Sequence, residues 1–472
     1  MRFRLTLISL IALLSPFIAP FSFNTSGVAA GSTEEVGPQE LEVFQGYLDP
    51  APLGMNVRYA WTLEGGRGEN VRIADIEFGW NLNHNELVAK TSDLFLYVKG
   101  LSPLPNAQLN QANIDHGTAV LGELVAARDG IGVTGIAHQA KLGLVNPLTE
   151  SNKLDVAAAI RRAASRMEPG DVILLELQST AGPRFDLSTG KGLVPMEYDP
   201  DVFDAIKEAT SSGIVVVESA ANGFEDLDSA VYNGAFDRNK KDSGAIIVGA
   251  GLPEGNVYGP GPDRERCEES NYGSRVDLQG WGRFVVTAGY GVLRKEQGEN
   301  NWYTDVFGAT SAATAMVAGA AALIQSIVKE RGRGPLAPEE LRRLLVSTGT
   351  PQTGNANQHI GPRPDLRAAI EALDATGNDV TPKIDKLSMK SSGKLIVDGE
   401  NFLPHDSIIE VDGQTITRLK YPSSYALPNG TTTRIMTKGD VSELIPRGVQ
   451  VSVTVFTPSS GRRSEPFLFR RE

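Results

Sequence analysis

The chain has 472 residues, with 45 Lys and Arg against 57 Asp and Glu and a formal net charge of −12. That acidity, with no basic run interleaved with aromatics, favours solubility and argues against nucleic acid as a partner. A single cysteine, Cys267, excludes an intrachain disulfide, and no His-Glu-x-x-His, P-loop or paired Cys-x-x-Cys motif supports a metal or nucleotide mechanism.

Residues 1–30 are expected to be a secretory signal. Arg2 and Arg4 make a positive start, Leu5 to Leu14 an apolar core, and Val28-Ala29-Ala30 a small-residue cleavage site. This predicts a secreted, periplasmic or cell-surface protein with no stable membrane insertion after cleavage. Residues 31–60 read as a polar lead in which Pro50 and Pro52 mark turns. It is shorter than the ~40 residues below which a chain rarely builds its own core.

From Asn70 onward, apolar runs alternate with helical stretches. Val71 to Ile76 reads as a buried strand carrying Asp75 at its end, followed by Glu77-Phe78-Gly79-Trp80. Ile114-Asp115-His116-Gly117-Thr118 opens a helical pattern that runs to Arg128. Lys141–Asn146 and Asp171–Leu177 are predicted strands, and Leu154–Met167 and Val202–Ser211 predicted helices. Ile214–Glu218 is a core strand leading into Ser219-Ala220-Ala221-Asn222-Gly223, and Ala245–Gly249 is another short buried strand. Ser311 then precedes a stretch to Ile324 that is small and apolar on every face, which requires a buried helix. That run is short of the ~20 residues that cross a bilayer. Further helices are expected from Pro338 to about Ser347 and from Asp365 to Leu373.

The alternation predicts an α/β fold for residues 61–375, a mostly parallel sheet with helices on both faces. After Asn378 the pattern becomes short apolar segments broken by Gly, Pro, Asn and Asp, as expected of an all-β sandwich over residues 380–472. In the α/β part, Asp75, His116, Asn222 and Ser311 each fall at a strand end or helix start. In open α/β sheets such positions gather in one crevice. A serine in the first turn of a buried helix can be aimed at a carbonyl carbon, with unpaired backbone N–H groups nearby for the developing oxyanion.

These stretches resemble the subtilisin-like serine proteases (subtilases, peptidase S8), whose chain order is also Asp, His, Ser. The resemblance runs from about Tyr47 to Leu373 and includes Asp129 to Ala137, which is similar to the segment after the histidine helix. It implies a serine endopeptidase acting on protein or peptide substrates through an acyl-enzyme. Asp75 would orient the histidine, His116 would be the base, Ser311 the nucleophile and Asn222 the oxyanion-hole donor. No cofactor is required; many members bind structural calcium, but no residue set here matches such a site. Glu176-Leu177-Gln178 occupies the place of the family's Ser-Leu-Gly, which implies substrate binding. Glu176 would favour a basic residue, or else be tied up in a salt bridge or face away.

Four departures stand out: Ala309 and Ala221 where glycine is usual, Ala315 in place of proline, and Glu77 in place of glycine. The two added Cβ atoms are harmless only at negative φ. Glu77 is expected to point away as a salt-bridge or capping residue; pointing at Asp75, it would raise a carboxyl pKa by like-charge repulsion. It also resembles the glutamate usage of the sedolisins, although His116 keeps its Gly-Thr context. The other histidines, His84, His138, His359 and His405, lack that context and read as surface or structural. A degenerate scaffold serving as a binding or adhesion protein is the competing reading. An esterase is disfavoured because Ser311 lies outside a Gly-x-Ser-x-Gly elbow. Gly399-Glu400-Asn401-Phe402 and the Thr457 to Ser464 segment resemble the IPT/TIG group of immunoglobulin-like domains, implying a spacer or binding module. The sequence carries no signature of oligomeric state.

Overall fold

The computed structural model describes residues 40–472 apart from 101–106, 149–152, 255–261, 379–380, 405, 426–430 and 458–461. The expected signal at 1–30, His405 and the Pro458–Gly461 turn lie outside the described residues. The chain divides into two compact units: one runs to Ile327 and takes in Pro335–Ala369, and the other comprises Val328–Gly334 and Ile370–Glu472.

Among its described residues the first unit has eleven strands: β1 (Arg72–Ile76), β2 (Leu96–Val98), β3 (Lys141–Val145), β4 (Val172–Leu175), β5 (Gln178–Ser179), β6 (Val194–Pro195), β7 (Val215–Ser219), β8 (Ile246–Gly251), β9 (Leu278–Trp281), β10 (Val285–Leu293) and β11 (Tyr303–Phe307). Seven form one sheet in the order β2-β3-β1-β4-β7-β8-β9, and every neighbouring pair is parallel. Val-Ile-Leu-Leu in β4 and Val-Val-Val-Glu-Ser in β7 are buried throughout. Continuous apolar runs are what a parallel sheet covered on both faces demands.

Among the described residues there are eight α-helices: the single turns α1 (Val57–Ala60) and α2 (Val88–Thr91), then α3 (Ala107–Val125), α4 (Val156–Ala164), α5 (Pro200–Ser211), α6 (Ala309–Glu330), α7 (Pro338–Thr348) and α8 (Leu366–Asn378). Asp155 caps α4 by accepting from the Ala158 N–H, and α4 buries Val156, Ala159, Ile160 and Ala163 while Arg161 faces solvent. α5 starts with Asp199 as its cap and Pro200 in its first turn, where a missing N–H costs nothing. Among the described residues α6 alone is long and apolar enough to cross a membrane, and its apolar window is wholly buried in the protein. It is a core helix. The α/β fold with a parallel sheet agrees with the sequence reading.

Two boundaries differ. α3 begins at Ala107, so His116 lies in mid-helix rather than at a helix start. Residues 40–60, read as a lead, pack into the first unit: Tyr47, Leu48, Met55, Val57 and Ala60 are fully buried. Their spacing has no helical or strand period because two 3₁₀ turns and α1 carry them.

The second unit holds β12 (Lys383–Met389), β13 (Leu395–Phe402), β14 (Ile408–Val411), β15 (Gln414–Ile416), β16 (Leu419–Lys420), β17 (Thr432–Thr437), β18 (Gln450–Thr457), β19 (Arg462–Arg463) and β20 (Phe467–Arg470). They form two antiparallel sheets, β12-β13-β17-β16 and β15-β14-β18-β19 with β20 also on β18. β13 and β18 alternate buried and half-buried residues, the period of a sheet with one covered face. Leu395, Val397, Phe402, Ile409, Val411, Ile435, Val453 and Val455 belong to one core.

Candidate active site

The sheet order reverses at β1, which pairs with β3 on one side and β4 on the other. Ligand crevices in such sheets open at the carboxyl ends of the strands beside this point. Asp75 and Glu77 lie at that end of β1, Glu176 to Gln178 follow β4, and Asn222 follows β7. α6 presents Ser311 from its first turn.

The geometry is one that can activate a hydroxyl. His116 Nε2 lies 2.9 Å from Ser311 Oγ, and its Nδ1 lies 2.5 Å from Glu77 Oε2. A carboxylate can only accept, so Nδ1 carries the ring proton and Nε2 accepts from the serine hydroxyl. The Phe307 ring meets the imidazole edge to face at 5.7 Å. Burial works against a charged imidazole, but the Glu77 carboxylate outweighs it and the His116 pKa is raised.

The expected contact of Asp75 with His116 needs correcting. Asp75 is fully buried, and its Oδ2 accepts from the Trp80 indole N–H at 2.7 Å. Glu77, expected to point away, turns into the site. Its other oxygen accepts from the Phe78 N–H at 2.6 Å. The reason is reach: leaving the end of β1, the longer side chain bends back to the ring while Trp80 occupies Asp75.

Gly117 makes this turn feasible. A Cβ there would stand 2.2 Å from the Gly79 carbonyl oxygen and 2.9 Å from Glu77 Cγ. Thr118 Oγ1 accepts from the Asn81 N–H at 2.8 Å, so the His-Gly-Thr run clasps the 77–81 loop against α3.

Glu176 also stands elsewhere than at a substrate-facing position. It is 3% exposed, its carboxyl lies against Asp75 and its own backbone N–H, and neither oxygen has a hydrogen-bond partner of good geometry among the described residues. Burial, then the charges of Asp75 and Glu77, raise its pKa well above the usual carboxylate range. A neutral buried acid offers nothing to a basic side chain. Leu177 is buried in the core beside β4. Gln178 lies in the short antiparallel pair β5-β6, and its Oε1 accepts from the Asn222 N–H at 2.6 Å. Burial, reinforced by the charge of Glu77, pushes Asp75 up to about 7.

Asn222 is oriented by a relay that sequence reasoning did not anticipate. The Ser219 hydroxyl donates to Thr310 Oγ1 at 2.8 Å, and Thr310 donates to Asn222 Oδ1 from its hydroxyl at 2.8 Å and its N–H at 3.1 Å. With Oδ1 held there, Nδ2 is the free end of the amide. Asn271, fully buried, ties the same loop through Ala220 O, Leu193 O and the N–H groups of Gly223 and Glu225. No local pattern marks Asn271, because its partners are 46 to 78 residues away. Ala221 and Ala309, flanking Asn222 and Ser311, have φ of 73° and 60°, the left-handed region where a Cβ is strained.

His84 is buried with Nε2 2.8 Å from Trp302 O, His138 is buried beside Gly135 O, and His359 is exposed. Among the described residues no group of three or more His, Cys, Asp or Glu is arranged to hold a metal ion.

Residues 68–362 match the Subtilase family of S8 peptidases. An intracellular serine protease of Paenibacillus polymyxa is 27% identical over 311 residues, covering 65% of this chain and 82% of that one. Subtilisin DY of Bacillus licheniformis is 28% identical over 288 residues, covering 61% of this chain and 86% of that one. The solved structure of the self-cleaved protease domain of PatA covers 65% of this chain and 97% of its own at 20% identity and a TM-score of 0.46. With the family match spanning well over half of its length, the chain belongs to the subtilase family.

Proposed function

We propose that the protein is a serine endopeptidase in which Ser311 is the nucleophile and His116 the general base. The observation that carries this reading is the 2.9 Å contact between His116 Nε2 and Ser311 Oγ, with a carboxyl group on the opposite ring nitrogen. Ser311 Oγ attacks the scissile carbonyl as its proton passes to Nε2, and the same proton is then delivered to the leaving amine. Water, deprotonated by His116, then attacks the acyl-enzyme carbonyl; the ester bond to Ser311 Oγ breaks, Oγ regains the proton and the new C-terminal carboxylic acid leaves. The tetrahedral oxyanion is held by Asn222 Nδ2 and the Ser311 backbone N–H, since Thr310 already occupies Asn222 Oδ1. Peptide or protein chains are the substrates. Gln178 supports the oxyanion loop through Asn222, and Leu177 backs the adjoining strand. The second unit is a spacer or binding module of immunoglobulin type, and export rests on the sequence of residues 1–30.

The test is labelling of the folded protein with a fluorophosphonate. Wild type should label, while Ser311→Ala and His116→Ala should not. Asn222→Ala should cut peptidase turnover by about 10²–10³-fold, the magnitude known for the equivalent donor in subtilisin itself. An unlabelled but folded wild type would move the reading to an inert binding scaffold.

A further inference from the structure

Three carboxyl groups, Asp75, Glu77 and Glu176, are buried together beside one imidazole. Among the described residues no Lys or Arg pairs with any of them, and His116 is the one basic group that does, through Glu77. The facing titratable groups are His116 from α3 and the Tyr290 phenol from β10, whose residue is half-buried. Isolated carboxylates in such a place each cost several kcal/mol, so three charges cannot coexist there.

The hydrogen bonds sort the three. Glu77 accepts at both oxygens, from His116 Nδ1 and the Phe78 N–H, the arrangement that suits an ionised carboxylate. Asp75 accepts only from Trp80, leaving Oδ1 bare, and both Glu176 oxygens are bare as well. Those oxygens belong to two carboxyls that face one another, so protons held between them supply the well-formed hydrogen bonds that they otherwise lack. Two interacting acids of this kind titrate as a pair.

We propose that Glu77, not Asp75, is the positioning residue for His116, and that Asp75 and Glu176 form a neutral carboxyl pair behind it. The pair spares the cavity a second and third negative charge. Glu77 is thus left as the single charge that fixes the Nδ1–H tautomer and stabilises the imidazolium. Glu176 has the complementary part: it supplies or accepts the proton that lets Asp75 stay buried. This assignment rests on the peptidase reading above and specifies its machinery.

The experiment compares Glu77→Gln, Glu77→Asp and Asp75→Asn in the full chain, each checked for folding by near-UV circular dichroism. Two readouts are used: the rate of fluorophosphonate labelling as a function of probe concentration, and the downfield proton resonance of His116 Nδ1–H. Glu77→Gln should lower the maximal labelling rate by about 10³–10⁴-fold, as when a triad carboxylate becomes an amide. The half-saturating probe concentration should barely move, and the resonance should shift upfield or vanish. Glu77→Asp, which keeps a carboxylate, should recover part of the rate. Asp75→Asn should keep the resonance and lose at least tenfold less rate than Glu77→Gln. An unshifted resonance in Glu77→Gln, or its loss in a folded Asp75→Asn, overturns the assignment. A folded wild type that does not label sinks the peptidase reading instead, and the resonance comparison still decides between Glu77 and Asp75.

Discussion

At the residue scale, Ala309 and Ala221 show how a side chain of one carbon can carry information. Both stand at positive φ, Ala309 two residues before Ser311 and Ala221 next to Asn222. A left-handed residue with a Cβ costs roughly 1–2 kcal/mol, and glycine recovers that at an unfolded-state cost of about 0.5–1 kcal/mol. Ala309→Gly should therefore stabilise the protein by up to about 1 kcal/mol, read as a higher urea midpoint. A clear loss of stability would show that the Cβ packs usefully. Cys267 needs no role in the site: it is 1% exposed, and burial pushes its thiol up to about 12, so it is a small core side chain.

At the element scale, the decisive contact is between α3 and the loop leaving β1. Helix and loop meet at Gly117, where the projected Cβ lies 2.2 Å from the Gly79 carbonyl oxygen and 2.8 Å from Trp80 Cδ1. Gly117→Ala must push the loop away and carry Glu77 from the imidazole. The expected outcome is a fall of more than about tenfold in fluorophosphonate labelling, with a stability loss of about 1–3 kcal/mol for overpacking. Labelling at the wild-type rate would show that the loop has another way to hold Glu77. Strands and helices of the first unit were largely legible, because continuous apolar runs and capped amphipathic stretches declare themselves locally. The start of α3 was not, since the residues before His116 are mostly polar and carry no apolar period to announce a helix.

At the scale of the whole molecule, buried acids make stability depend on pH. Asp75 is held up to about 7 and Glu86, mainly by burial, up to about 8. The native state therefore keeps protons that the unfolded chain releases above about pH 4, and stability falls as pH rises through that window. Burial lowers His138 to about 4, which works in the opposite sense, but only below the ordinary histidine value of 6.5. Asp242 lies near 2 because the Arg342 contact overrides its burial, and its contribution is constant above pH 4. Between pH 6.5 and 8 the carboxyl effect is unopposed by these groups. The urea midpoint should decline across that interval, and Glu86→Gln should flatten the decline. A midpoint that rises from pH 6.5 to 8 would contradict the burial argument.

The sequence by itself determined the α/β class, the buried serine helix, the strand-rich C-terminal part and the order in which Asp75, His116, Asn222 and Ser311 appear. Those properties are written in local periodicity and in short motifs. Which carboxylate meets His116 was decided only by tertiary structure. Asp75 and Glu77 are two residues apart, and nothing local says which one reaches a ring 39 residues further on. The answer depends on Trp80 folding back onto Asp75, on Gly117 leaving room for the loop, and on Glu176 arriving from β4, 101 positions beyond Asp75, to face it in the interior. Proton sharing between buried acids depends on distance and desolvation, which become defined only when the strands lie side by side.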